Sequence, residues 1–193
     1  KVLINPLFNL PPSAQVHPEW LRGYWNVEMS FAGYIFPSTT ISRERLLQNP
    51  SIVGFQKCSI ANLADVGRET VQFRWSVLPN SGLEDRCNNY QNCIDAFLGY
   101  KAVQRVDYDA KKNPNRISID FVDYKTVNAE RIELFCNARE SSYSADNLFV
   151  CAGYVRQVTF GTGETVGIPR QVNTNYGNFW TYNKSNDSSF TGN

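Results

Sequence analysis

Histidine, cysteine and carboxylate side chains are the groups with which a chain of this size would do acid–base, nucleophilic or metal chemistry. The single histidine, His17, lies in Gln15-Val16-His17-Pro18, a Pro-flanked stretch ahead of the first strand-like segment. A Ser-His-Asp arrangement would need that stretch to reach a nucleophile, and the sequence has no Gly-x-Ser-x-Gly elbow. The expected role of His17 is therefore that of a satisfied surface or arm residue. Carboxylates come in near pairs: Asp107 with Asp109, Asp120 with Asp123, Glu130 with Glu133. Asp107 and Asp109 share strand parity, and burying both would raise one pKa. Base rates of burial favour solvated outer-face carboxylates instead. No catalytic residue and no metal ligand is assigned.

The five cysteines, Cys58, Cys87, Cys93, Cys136 and Cys151, lack the close Cys-x2-Cys spacing of a zinc site, and one histidine is too few for a mixed cluster. Cys136 and Cys151 lie in two apolar runs flanking the polar segment Asn137 to Asn147. A turn centred near Tyr143 would set the two thiols face to face as a candidate cross-strand disulfide. Cys87 and Cys93 bracket Asn88-Asn89-Tyr90-Gln91-Asn92, read as a polar loop that a second disulfide would close in an oxidising compartment. Cys58 is then left over, and the odd count keeps open a reading with every thiol reduced.

The elements that must position these groups read as strands. At 193 residues the chain is expected to form one domain with a sizeable core. Its 12 Phe, 10 Tyr and 4 Trp against a single Met, Met29, suit sheet. Alternation begins in Gly23-Tyr24-Trp25-Asn26-Val27 and runs to Phe31. Further strands are expected near Ile52–Ile60, Thr70–Leu78, Ala102–Asp109, Arg116–Phe121, Ala129–Asn137, Leu148–Phe160 and Gln171–Tyr182, each bounded by Gly, Pro, Asn or Asp. Asn113-Pro114-Asn115 joins neighbours by a turn, and Gly161-Thr162-Gly163 ends a long strand, so up-and-down order follows. One or two short helices fit Thr40–Leu47 and Gln91–Tyr100. The fold class is mainly β, an antiparallel lipocalin-like barrel over residues 20–182. Before it, residues 1–19 hold four of the nine prolines and form an extended arm. After it, residues 183–193 form a flexible polar tail with Asn-x-Ser patterns at Asn183 and Asn186.

Lys and Arg total 19 against 18 Asp and Glu, which leaves no field to recruit nucleic acid; Lys111 and Lys112 sit in turn chemistry. The sequence has no apolar run long enough to span a bilayer as a helix. The start, Lys-Val-Leu-Ile-Asn-Pro, lacks Met and signal-peptide anatomy and reads as already processed.

Gly23-Tyr24-Trp25 resembles the Gly-x-Trp signature of lipocalin-type barrels, in which the Trp closes the barrel bottom under a late basic residue. That resemblance implies closure by Gly23, Trp25 and Arg156. Three segments, Pro18 to Val27, Arg131 to Arg139 and Val155 to Phe160, are similar to an uncharacterised lipocalin-like family of cyanobacterial and chloroplast proteins, often thylakoid-lumenal. The resemblance covers most of residues 18–182 and supplies no active site. It implies a chloroplast thylakoid location and association with photosystem I or II subunits. The lumenal side is favoured by this family and by the candidate disulfides, while the odd cysteine keeps the stromal side open.

Three functional readings follow. The first is a non-catalytic accessory subunit docked on a photosynthetic membrane complex through its arm and exposed aromatics. Leu7, Phe8, Trp20, Tyr34 and Phe36 are the candidate interface, with Tyr24 and Tyr143 beside them. The second is a carrier holding a pigment, lipid or other apolar molecule in the barrel, which needs an open cavity. Large inward residues such as Phe73, Trp75, Phe121, Phe135 and Phe149 would plug it, so no cofactor is expected. The third, a distant one, is an isoprenoid- or lipid-modifying enzyme.

Overall fold

The structure, a computed structural model, describes residues 11–30, 39–40, 70–123, 129–145, 147–162 and 169–192. After a single 3-10 turn at Glu19–Leu21, strand β1 (Gly23–Met29) pairs antiparallel with β2 (Val71–Val77) as a two-stranded sheet. Helix α1 (Arg86–Leu98) follows, then β3 (Val103–Asp107), β4 (Arg116–Phe121), β5 (Arg131–Ala145), β6 (Leu148–Thr162), β7 (Pro169–Asn186) and β8 (Ser189–Gly192). These last six pair in sequence order as an antiparallel meander that curls into a half-barrel. The protein is thus mainly β and lipocalin-like, with the expected up-and-down order.

Local sequence chemistry sets the element ends. Asp85 caps α1 by accepting from the Asn88 backbone N–H at 3.4 Å, and Gly99, at φ 74°, ends the helix in the left-handed conformation that glycine adopts without penalty. In the last helical turn, Asp95 accepts from the backbone N–H groups of Ala102 (2.8 Å) and Val103 (2.9 Å), which starts β3 where the helix stops. Asp109 accepts from the N–H groups of Lys111 and Lys112, closing the turn before β4.

Two apolar clusters hold the layers together. Ile94 of α1 packs with Val103, Ile117, Ile119, Phe121, Ile132 and Leu134 of β3–β5, so the helix covers one end of the inner sheet face. At the other end Leu21, Trp75 and Val77 of the β1–β2 unit pack on Phe149 and Cys151 of β6, joined by Trp25, Tyr182 and Phe190. Among the described residues β1 bonds to β2 and β8 to β7, so the two sheets close on each other by side-chain packing. Trp25 and Phe190 meet edge to face at 4.9 Å across that seam.

The C-terminal region differs from expectation. Residues 183–186 continue β7, and β8 is anchored because Phe190 inserts among Trp25, Trp75 and Tyr182. A polar composition hid one aromatic sufficient to order the hairpin. The part of the arm that is described packs on its own domain. The His17 N–H donates to Gly82 O at 2.8 Å, Arg139 donates to Ser13 O at 2.6 Å, and Asn115 donates to Pro12 O at 2.8 Å. The expected strand at Ile52–Ile60 and residues 41–47 of the expected helix lie outside the described residues.

Candidate functional site

Large aromatics occupy much of the inner face, although Phe135, expected among them, lies on the outer face in a row with Arg116 and Arg156. Phe149 is fully buried, Trp75 and Phe121 nearly so, and Phe73 and Tyr182 pack beside them. His17 belongs to this interior and not to the surface. It is 4% exposed, and its ring lies 5.4 Å from Phe149, 5.9 Å from Trp75 and 6.5 Å from Tyr182. The prolines around His17 argued for a solvated arm, whereas the aromatic cage comes from three distant strands. Burial pulls its pKa below the usual histidine value, Glu84 pulls the other way, and Arg86 and Arg139 add to the lowering. Its Nδ1 is buried without a hydrogen-bond partner.

The expected disulfides are not formed: Cys87, Cys93, Cys136 and Cys151 are free thiols. Cys87 and Cys93 lie on α1, not in a loop, and a spacing of six positions sets them about 9 Å apart along the axis, beyond disulfide reach. Cys136 and Cys151 do sit on the two strands of one hairpin. The turn falls between Ala145 and Leu148, however, so Cys136 faces Val155 and Cys151 faces Ser141. Burial pushes the Cys93 and Cys151 thiols up to about 11. Cys58 lies outside the described residues.

The strand register defines the outer face of the six-stranded sheet as successive cross-strand rows. Arg116, Phe135, Arg156 and Asn175 make one row, with the two guanidinium groups 5.8 and 5.0 Å from the centre of the Phe135 ring. Arg156 therefore packs on its cross-strand partner, while Trp25 donates to Leu21 O at 2.9 Å and packs on Phe190; the expected closure of Trp25 by Arg156 is replaced by that contact. Gly23, at φ 118°, opens β1 beside them. In the next row Glu133 accepts from Arg116 Nε (2.9 Å), Ser118 Oγ (2.8 Å) and Arg131 Nε (2.6 Å). Burial alone would raise its pKa, but these bonds outweigh burial and hold the carboxyl below its ordinary value. Asp120 completes the network with Arg105 and Arg131. Asp107 is exposed on β3, and Asp109 is spent on its turn, where the two lysine N–H groups lower its pKa.

Beyond a bulge after Cys136 the same face changes character. Its rows become Ala138, Tyr154 and Gly177, then Glu140, Ala152 and Phe179. The Phe179 ring meets Tyr154 edge to face at 6.0 Å, and both rings lie over Gly177. A Cβ on residue 177 would stand 3.0 Å from the Phe179 ring, so glycine is what allows the rings to lie down across the strands. Phe179 is 65% exposed, and Tyr154 is also exposed. The result is an apolar patch facing solvent next to a charged, ion-paired one.

Of the candidate interface residues, Trp20 is partly buried against the second core cluster, while Leu7, Phe8, Tyr34 and Phe36 lie outside the described residues. Tyr24 and Tyr143 are exposed; Tyr143 also donates to Val16 O at 3.3 Å. Tyr154, Gly177 and Phe179 were missed, since only the pairing of β6 with β7 brings them together. A shallow polar groove of about 660 Å³ lies at the other end, lined by Trp20, Tyr24, Trp25, Lys184 and Asp187 among others. Among the described residues no His, Cys, Asp and Glu cluster could hold a metal ion, and no helix is long and apolar enough to cross a membrane.

Fold and face together define the class: a mainly β, antiparallel lipocalin-like half-barrel with an aromatic patch on its outer surface. Comparison with protein-family models, curated proteins and solved structures finds no match to this chain.

Proposed function

We propose that this chain is a non-catalytic accessory subunit that docks on a protein complex at a photosynthetic membrane through the outer face of β6 and β7. The observation that carries this reading is the Tyr154–Phe179 pair lying over Gly177 with more than half of Phe179 in water. Holding a large aromatic there costs hydrophobic free energy that burial against a partner recovers. Two guanidinium groups stacked on Phe135 lie one row away and supply the polar, Arg-bearing rim common at protein interfaces. The photosystem as partner, and the thylakoid as place, rest on the resemblance of residues 18–182. The lumenal side now has that resemblance alone behind it, because the cysteine pairs are free thiols. Filling of the inner face by Phe149, Trp75 and Phe121 favours docking over carriage of a pigment or lipid.

The test uses purified chain added to isolated photosynthetic membranes. Phe179→Ser combined with Tyr154→Ser is expected to weaken retention by about tenfold or more, the scale of a lost interface hot spot. Unchanged retention with an intact fold would overturn the docking face.

A further inference from the structure

The longest strand of the half-barrel is paired along only part of its outer edge. β7 runs from Pro169 to Asn186 and pairs with β6 from Pro169 to Asn183, but β8 covers it only from Tyr182 to Asn186. Among the described residues nothing pairs with Gln171–Thr181 on the side away from β6. The Lys184 N–H donates across to Asn147 O at 2.8 Å, so even-numbered residues of β7 turn their backbone groups toward β6. By the alternation of an antiparallel ladder, Gln171, Asn173, Asn175, Gly177, Phe179 and Thr181 direct theirs to the open edge.

Proteins protect such edges with charge, proline or bulges. This one has none of these. The eleven residues Gln171-Val-Asn-Thr-Asn-Tyr-Gly-Asn-Phe-Trp-Thr181 contain no Asp, Glu, Lys, Arg or Pro, and their pairing with β6 is regular throughout. Val172, Thr174, Tyr176, Phe179, Trp180 and Thr181 are strong strand formers.

We propose that the open edge of β7 pairs antiparallel with the same edge of a second copy of this chain, joining two six-stranded sheets into one. Two features select a second copy as the occupant. The open window is bounded by β8 at one end and by Pro169 at the other, so it accepts a strand of its own length. A two-fold axis through Tyr176 sets Gln171 opposite Thr181, Asn173 opposite Phe179 and Asn175 opposite Gly177, with no charge in any pair. The pairing closes on itself, because the two-fold axis uses the β7 window of both copies against each other, and it yields a dimer and not a fibre. It is independent of the docking reading above, since it is measured on the purified chain alone.

Sedimentation equilibrium of the purified chain over a concentration series is the test, with Asn175→Pro and Asn175→Lys beside it. Asn175 is exposed and its N–H faces the open edge, so proline there removes no bond to β6. The expected result is a species of twice the 22.0 kDa chain mass that reverts to monomer in both variants, with circular dichroism unchanged. Hydrogen exchange on the wild type supplies a readout free of any folding defect. Amides of Asn173, Asn175, Gly177, Phe179 and Thr181 should gain protection as concentration rises, while those of even-numbered neighbours stay protected throughout. A wild type that remains monomeric, a dimer indifferent to both substitutions, or an open-ended series of oligomers would each overturn the proposal.

Discussion

Asn89 is the joint between α1 and the two-stranded unit, and its removal gives the sharpest test of how the halves are held together. The side chain is 4% exposed and reads the backbone of Ser76 on β2 from both sides. Its Oδ1 accepts from Ser76 N at 2.8 Å, and its Nδ2 donates to Ser76 O at 2.9 Å and to Glu84 Oε1 at 3.3 Å. Asn89→Ala leaves the Ser76 N–H buried without this partner, a penalty of about 1–3 kcal/mol. The Ser76 carbonyl keeps the Asp85 N–H at 3.1 Å, so losing the Nδ2 bonds adds only about 1 kcal/mol. The expected loss of unfolding free energy is thus about 2–4 kcal/mol, read by urea denaturation followed through Trp fluorescence. Asn89→Leu refills the volume but cannot accept from Ser76, and should not rescue. Asn89→Asp restores the acceptor but sets a carboxylate against Ser76 O and Glu84, so it should be worse than Ala near neutrality and recover on acidification. A loss below about 0.5 kcal/mol for the alanine variant would refute the joint.

The remaining predictions follow from buried polar groups and backbone geometry. His17 has a lowered pKa in the fold, so folded and unfolded chains are both neutral there well above its ordinary value of 6.5. As pH falls through about 6.5 the unfolded chain gains a proton that the folded chain resists, and stability should decline; chemical denaturation against pH should lose that component in His17→Phe. Gly99→Ala and Gly82→Ala both force a positive φ, of 74° and 67°, but only at Gly82 does the new Cβ meet Val16 at 2.9 Å and His17 O at 3.1 Å. Gly99→Ala should cost about 1 kcal/mol and Gly82→Ala clearly more, with melting curves as the check. Cys87, Cys93, Cys136 and Cys151 should all titrate as thiols in denaturant without reductant, with Cys93 and Cys151 slow in the native state; a protected pair would contradict the register.

Strand identity was legible wherever alternation was local. Arg116–Phe121 carries its apolar residues Ile117, Ile119 and Phe121 on one parity, and the sequence places it as the structure does. Register was not legible, because it depends on where a turn closes. Ser141-Ser142-Tyr143 reads as loop by composition, yet these residues extend β5, shifting the turn toward Leu148 and separating Cys136 from Cys151. The helix runs over 86–98 and not the expected 91–100, because Asp85 caps it through Asn88 inside a stretch whose polar composition reads as loop. The aromatic patch has no local signal at all. Tyr154 and Phe179 stand 25 residues apart, and only the antiparallel pairing brings their rings over Gly177. The burial of His17 has no local signal for a related reason, since Pro18 points to an arm while Trp75, Phe149 and Tyr182 converge on it from β2, β6 and β7.

The most direct test of the central claim is mild-detergent separation of photosynthetic membrane complexes, with this chain followed by mass spectrometry across the gradient. The docking account predicts co-migration at a fixed ratio with the subunits of one complex, lost when Phe179 and Tyr154 are replaced by serine. A chain that runs free of every complex, with or without those substitutions, would contradict it.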